Sequence, residues 1–257
     1  MRALAAEMLG SLNRRNISVD AIYRQIIAKT PPGLTPLNRD QQTKLLQDIC
    51  QLEQRFAGQV KIRSQAHDKT AGRPLSFNDF VATSGNLATR AHIRLVPAKG
   101  PKHGSVTARV NINIQPEYSA KLTEALARLC ASGNKSIIEA KVIAPEGQGR
   151  RIESAAIYLQ PGLNNATTIA SQLQQLLPAE AFVAHTPVGM HSVADGLSYS
   201  ENSSKNQLSN GSHSLERAMI LKRVLDNPDK IPLDEKLKTA FTKAGYQLDN
   251  PALVKKK

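Results

Sequence analysis

One stretch limits the possible folds more than any other. In residues 105–115, Val106, Ala108, Val110, Ile112 and Ile114 alternate with Thr107, Arg109, Asn111 and Asn113. Successive side chains of a strand point to opposite faces, so this stretch must lie with one face on a core and the other on polar surroundings. Shorter alternations predict strands at 91–96, 137–144 and 153–160. The same parity puts His92 with Arg94, Glu139 with Lys141, and Ser154 with Tyr158. If the strands are neighbours, their polar positions form one basic, hydroxyl-bearing surface, and an antiparallel sheet with one wet face gives this pattern.

The rest of the chain has helical period. Ser18 caps a helix with Ile22 and Ile26 on one face, stopped by Thr30-Pro31-Pro32-Gly33. Asn38 caps a second helix, in which Leu45, Ile49, Leu52 and Phe56 recur before Gly58. Residues 61–89 read as polar and turn-rich, a mobile loop with one short helix signalled by Ser76 and Asp79. Tyr118, Leu122, Leu126 and Leu129 mark an amphipathic helix between strands, and Ile169, Leu173 and Leu176 another. From 180 to 211 periodicity disappears, as in a long loop, and 203–212 reads as disordered. Two closing helices follow, one with Leu215, Met219 and Leu225, the other with Leu237 and Phe241 before Gly245. The expected fold class is α+β: a twisted, mainly antiparallel sheet with helices on one face, a helical N-terminal part and two C-terminal helices. Residues 1–257 are expected to form one domain, with 1–60 helical, 90–225 as the α+β core and 230–257 as a closing helix and basic tail.

A chain of 257 residues with 40% hydrophobic and 21% charged residues can bury a substantial core. It has no apolar run of about 18 residues, and its first residues lack the apolar block of a secretory signal. Cys50 and Cys130 lie far apart in helical patterns, which predicts two buried thiols and no disulfide. Lys255, Lys256 and Lys257 read as a solvated tail. The formal charge of +13 favours an anionic partner: nucleic acid, a membrane surface or phosphorylated protein. Only 4% of residues are aromatic and none is Trp, so the stacking platforms of single-strand readers are scarce. That weighs against nucleic acid, and a membrane partner is not expected.

Arg and Lys together suit a phosphate dianion, since Arg grips two oxygens and a crowded Lys can lose its proton and act as a base. No histidine has ligand spacing with another ligand type, so no metal site is expected. No cofactor is implied. The chain has no Walker-type glycine loop, dinucleotide fingerprint or nucleophile elbow.

Six blocks resemble, in order and at similar spacing, the HopA effector family of plant-associated bacteria. They are Arg94-Leu-Val-Pro97, Lys141-Val-Ile-Ala-Pro145, Ser154-Ala-Ala-Ile-Tyr-Leu159, Phe182-Val-Ala-His-Thr-Pro187, Gly196-Leu-Ser-Tyr199 and Asp249-Asn-Pro-Ala-Leu253. The resemblance implies a type III secretion effector that acts in the host cell cytoplasm on immune signalling. It also implies an export chaperone bound through an N-terminal region, and the chain is expected to be the core without that leader. The family in turn is similar to the phosphothreonine lyases, which remove phosphate from host kinases by β-elimination. By that likeness Lys141 corresponds to the base, Arg109 to a phosphate-contacting lysine and Tyr158 to a strand tyrosine. Asn111 falls where the acid histidine should be, and an amide cannot donate a proton as an acid. Arg94, Arg151 and Arg217 are candidate phosphate clamps, with His92, Asn113 and Tyr199 as further candidates. Three classes stay open: a binder of host immune-signalling or phosphorylated proteins, an active phosphothreonine or phosphoserine lyase, and a nucleic-acid binder.

Overall fold

A computed structural model describes residues 17–27, 33–64, 76–101, 108–151, 153–187, 189–202, 213–247, 249–250 and 252–255, with the backbone alone for 24–27 and 213. The expected helix stop at Thr30 to Pro32, the expected disorder of 203–212, Val106 and Thr107 of the alternating stretch, and the tail residues Lys256 and Lys257 lie outside the described residues.

The chain forms a seven-stranded sheet in the order β1-β2-β4-β5-β3-β7-β6. The strands are β1 (Val60–Ser64), β2 (Ile93–Pro97), β3 (Ala108–Ile112), β4 (Ile137–Val142), β5 (Ala155–Leu159), β6 (His191–Ala194) and β7 (Leu197–Glu201). Every pairing is antiparallel. The helices among the described residues are α1 (Val19–Ile27), α2 (Arg39–Arg55), α3 (Phe77–Ser84), α4 (Ser119–Ala131), α5 (Leu163–Leu176), α6 (His213–Asp226) and α7 (Leu233–Lys243).

Local chemistry sets the helix starts. The Asn38 side chain accepts the Gln41 N–H at 2.9 Å, and the Gln41 side chain accepts the Asn38 N–H at 2.9 Å. This reciprocal pair satisfies two backbone donors that no helical carbonyl can reach. Ser18 Oγ accepts the Ala21 N–H at 3.1 Å, and Ser76 Oγ accepts that of Asp79 at 3.1 Å. The start of α3 is also held from α2, because the Glu53 carboxylate accepts the N–H groups of Phe77 and Asn78 at 2.7 and 3.0 Å.

Val110, Ile112 and Ile114 are fully buried together, as parity demands, in one core with Leu95, Ile157, Leu122, Leu126 and Leu173. Leu176, expected on the α5 stripe, is instead 41% exposed at the helix end. A second cluster joins Ile22 of α1 to Ala218, Leu221 and Val224 of α6 and to Leu237, Phe241 and Tyr246 around α7. The buried face of α6 runs through Ser214, Arg217, Leu221 and Val224, whereas Leu215, Met219 and Leu225 are half-buried. An arginine therefore occupies the inner stripe and stacks on the Tyr246 ring, its guanidinium carbon 4.8 Å from the centroid.

Three expectations are corrected. Residues 61–64, read as the start of a turn-rich loop, belong with Val60 to the edge strand β1, paired along its whole length with β2. Residues 191–201, read as loop, form the β6–β7 hairpin across Asp195-Gly196. Gly196 has φ 67° there, and a Cβ on it would lie 2.6 Å from the Asn113 carbonyl oxygen. The polar sheet face is also not uniformly wet, because the chain before β6 and the first turn of α6 cover its β3–β7 end. The two cysteines are free thiols: Cys130 is buried and Cys50 half-buried.

Candidate functional site

The strand register brings the polar positions into rows. Arg94 lies opposite Lys141, Lys141 opposite Ala156, Ala156 opposite Asn111, and Asn111 opposite Ser198. One step along, Glu139 lies opposite Tyr158, Tyr158 opposite Arg109, and Arg109 opposite Ser200. Paired residues in an antiparallel sheet point to the same side, so Arg94, Glu139, Lys141, Tyr158, Arg109 and Asn111 share one face. Arg109 and Lys141 thus lie on the same side, separated by β5.

Two regions of this face differ. Toward β7 it is closed: Arg109 is 6% exposed, Asn111 2% and Asn113 3%. One Arg109 guanidinium nitrogen donates to Ser214 Oγ at 3.4 Å and also lies 3.8 Å from the Glu153 carboxylate. The Asn111 amide nitrogen contacts the Met190 sulfur, which also takes the Ser198 hydroxyl at 3.6 Å. Arg109 Nε and Asn111 Oδ1 are buried without a hydrogen-bond partner among the described residues. Asn113 serves the backbone, donating from its amide to the Val183 carbonyl at 3.4 Å.

Toward β2 the face is open. Lys141 and Tyr158 are half-buried, Arg151 is exposed and Glu153 half-buried. Arg94 is ion-paired to Glu139, its Nε donating at 3.1 Å. Burial, chiefly, pushes the Lys141 ammonium below its ordinary pKa; Arg109, Arg151 and Arg94 push the same way, while Glu153 opposes them. Burial raises the Tyr158 phenol, with Glu153 and Glu139 adding to it and Arg109 pulling it back. His92 is driven down to about 4, first by burial and then by Lys141 and Arg151. Its Nδ1 accepts the Ala144 N–H at 3.0 Å, which a neutral ring can do and an imidazolium cannot.

The candidates therefore separate. Lys141, Arg109, Tyr158, Arg94, Arg151 and His92 share one electrostatic neighbourhood. Tyr199 does not belong to it, because it pairs with Val110 on the apolar face. Its hydroxyl accepts the Gly162 N–H at 2.7 Å and donates to Glu201 at 2.7 Å, and burial raises its pKa. Arg217 is not open to an outside anion: it is 1% exposed, donates to the Glu201 carbonyl at 3.4 Å and stacks on Tyr246. Asn111 lies beneath Met190 rather than at an open surface. Two residues of the face escaped the sequence reading. Glu153 opens the alternation read at 153–160, where parity sends it to the side opposite Ser154 and Tyr158, but it lies in the chain leading into β5; Arg63 is on β1, and the short alternation Val60-Lys61-Ile62-Arg63 was the available signal. Among the described residues, no group of three or more His, Cys, Asp or Glu side chains could hold a metal ion.

The profile of the HopA1 effector protein family matches residues 83–253, about two thirds of the chain. The chain belongs to that family. This HopA1-family chain is 33% identical over 191 residues to protein HrmA of Pseudomonas syringae pv. syringae, a match covering 74% of the chain and 49% of HrmA. It thus spans about half the length of that curated relative. The solved effector protein from P. syringae pv. tomato strain DC3000 superposes with a TM-score of 0.87 at 28% identity, over 99% of this chain and 97% of that one. The effector protein from P. syringae pv. syringae strain 61 gives 0.83 at 30% identity, over 99% and 94%. All three relatives are from P. syringae, and the family is one of type III effectors.

Proposed function

We propose that residues 1–257 act as one effector core in the host cell cytoplasm and modulate immune signalling by docking phosphorylated protein segments on the open half of the polar sheet face. This is a scaffold of the kind the phosphothreonine lyases use. Delivery follows the type III route, with an export chaperone bound by an N-terminal leader. The observation that carries the reading is Lys141: half-buried, without an ion pair among the described residues, and facing Arg94, Arg109 and Arg151 against only two carboxylates. Such a cluster is short of negative charge, and a phosphate dianion between Lys141 and Arg151 would supply it. Asn111 and Asn113 hold the covered half of the face, and Arg217 ties α6 beneath it.

A second reading, active elimination, is favoured by the same lysine. A lysine with a lowered pKa can take the Cα proton of a phosphothreonine; the Cα–Cβ double bond forms as the Cβ–O bond breaks and phosphate leaves. Tyr158, kept protonated by burial, is then the donor to the leaving oxygen in place of Asn111. Incubation with a phosphopeptide panel followed by mass spectrometry separates the two. A dehydrated residue that disappears with Lys141→Ala establishes elimination. Phosphate-dependent capture with no dehydrated product establishes docking alone. Absence of any phosphate-dependent capture overturns both.

A further inference from the structure

The basic row does not end at β2. Arg63 lies directly opposite Arg94, which lies directly opposite Lys141, so three adjacent strands present three cations in register on one face. Like charges opposite one another destabilise a sheet, and each needs something anionic to offset it. Glu139 answers Arg94. Glu153 and the proposed phosphate answer Lys141. The half-buried Arg63 guanidinium has no ion pair among the described residues, although it lines a cleft of about 400 Å³ with Arg94, Val96, Gly100 and Glu139. The cleft on the other side of Lys141 is less available, because its Arg90 is paired with Glu146 at 3.0 Å and its Arg150 is already engaged.

We infer that Arg63 is a specificity residue that receives an anionic side chain three residues from the phosphorylated residue seated at Lys141. The spacing follows from geometry: two strand separations of about 4.8 Å put Arg63 and Lys141 roughly 10 Å apart, and a peptide docked in the polyproline II conformation, with about three residues per turn and a rise of about 3.1 Å per residue, returns to the same side after about 9 Å. The inference rests on the docking reading, and the experiment separates the two.

Fluorescence anisotropy is measured with a phosphothreonine peptide of otherwise neutral sequence, and with versions carrying Glu three residues before or three residues after the phosphothreonine. In one of the two directions Glu tightens binding about fivefold, the scale of a half-exposed ion pair. Arg63→Gln removes that gain while leaving the neutral phosphopeptide's affinity within about twofold. Arg63→Glu moves the preference to a peptide with Lys at the same place, a reversal that loss of fold cannot produce. A neutral phosphopeptide that binds, with no gain from Glu in either direction or a gain that survives Arg63→Gln, overturns the role of Arg63 alone. Failure of the neutral phosphopeptide to bind overturns the docking reading and this inference with it.

Discussion

His92 offers a stability test of the electrostatics around Lys141. Its folded pKa is about 4 against an ordinary 6.5, because burial and the neighbouring Lys141 and Arg151 disfavour the imidazolium. Between those values the unfolded chain binds a proton that the folded chain refuses, so stability against unfolding rises with pH across the window. The contribution is intact above pH 6.5, is lost progressively as pH falls toward 4, and is constant below that. At 1.36 kcal/mol per pH unit the gap is worth about 3 kcal/mol, reduced toward about 2 kcal/mol by the ring's partial exposure. His92→Gln removes the titration and keeps an acceptor for the Ala144 N–H. Urea unfolding of both proteins, followed by far-UV circular dichroism from pH 7.5 to 4, cancels the carboxylates they share. The wild type should lose about 2 to 3 kcal/mol more than the variant across that range. A difference that stays flat with pH would refute the cationic surroundings assigned to His92, and with them the crowding at Lys141.

Gly196→Ala should cost about 2 kcal/mol or more in denaturant unfolding, since it combines a positive φ with a Cβ pressed on the Asn113 carbonyl; a cost under about 0.5 kcal/mol would contradict the hairpin geometry. The Cys130 thiol, pushed up to about 12 chiefly by burial, should resist thiol reagents at pH 8 until the protein unfolds, and equal rapid reaction of both cysteines in the native state would contradict its burial.

The main sheet and its polar face could be read from the sequence because period-two alternation survives wherever one side of a strand is apolar. Parity alone put Arg109 with Asn111 and Glu139 with Lys141, and the register added which strands are neighbours. What parity could not supply was the cover over the far end of the face: alternation looks the same whether polar side chains meet water or Met190 and Ser214. β1 is five residues long, too short for alternation to stand out from its polar surroundings, and Arg63 was lost with it. The β6–β7 hairpin carried a turn signal in Asp195-Gly196, but its flanks, rich in Ser and His, hid the strand pattern. Arg217 is a clamp candidate only through the likeness to the lyases, and the helical stripe through Leu215, Met219 and Leu225 does not reveal that the packed face of α6 runs through Arg217 instead.

The central claim is that Lys141 and the arginines around it receive phosphate, and the most direct measurement is the affinity ratio between a phosphothreonine peptide and its unphosphorylated counterpart. Isothermal titration should give the wild type a preference of at least tenfold for the phosphorylated peptide, the scale of one charge-assisted contact of about 1.5 to 3 kcal/mol. Lys141→Ala should reduce that ratio toward one while its unfolding curve stays close to that of the wild type. Equal affinity of the wild type for both peptides, or a preference undiminished by Lys141→Ala, would contradict the account.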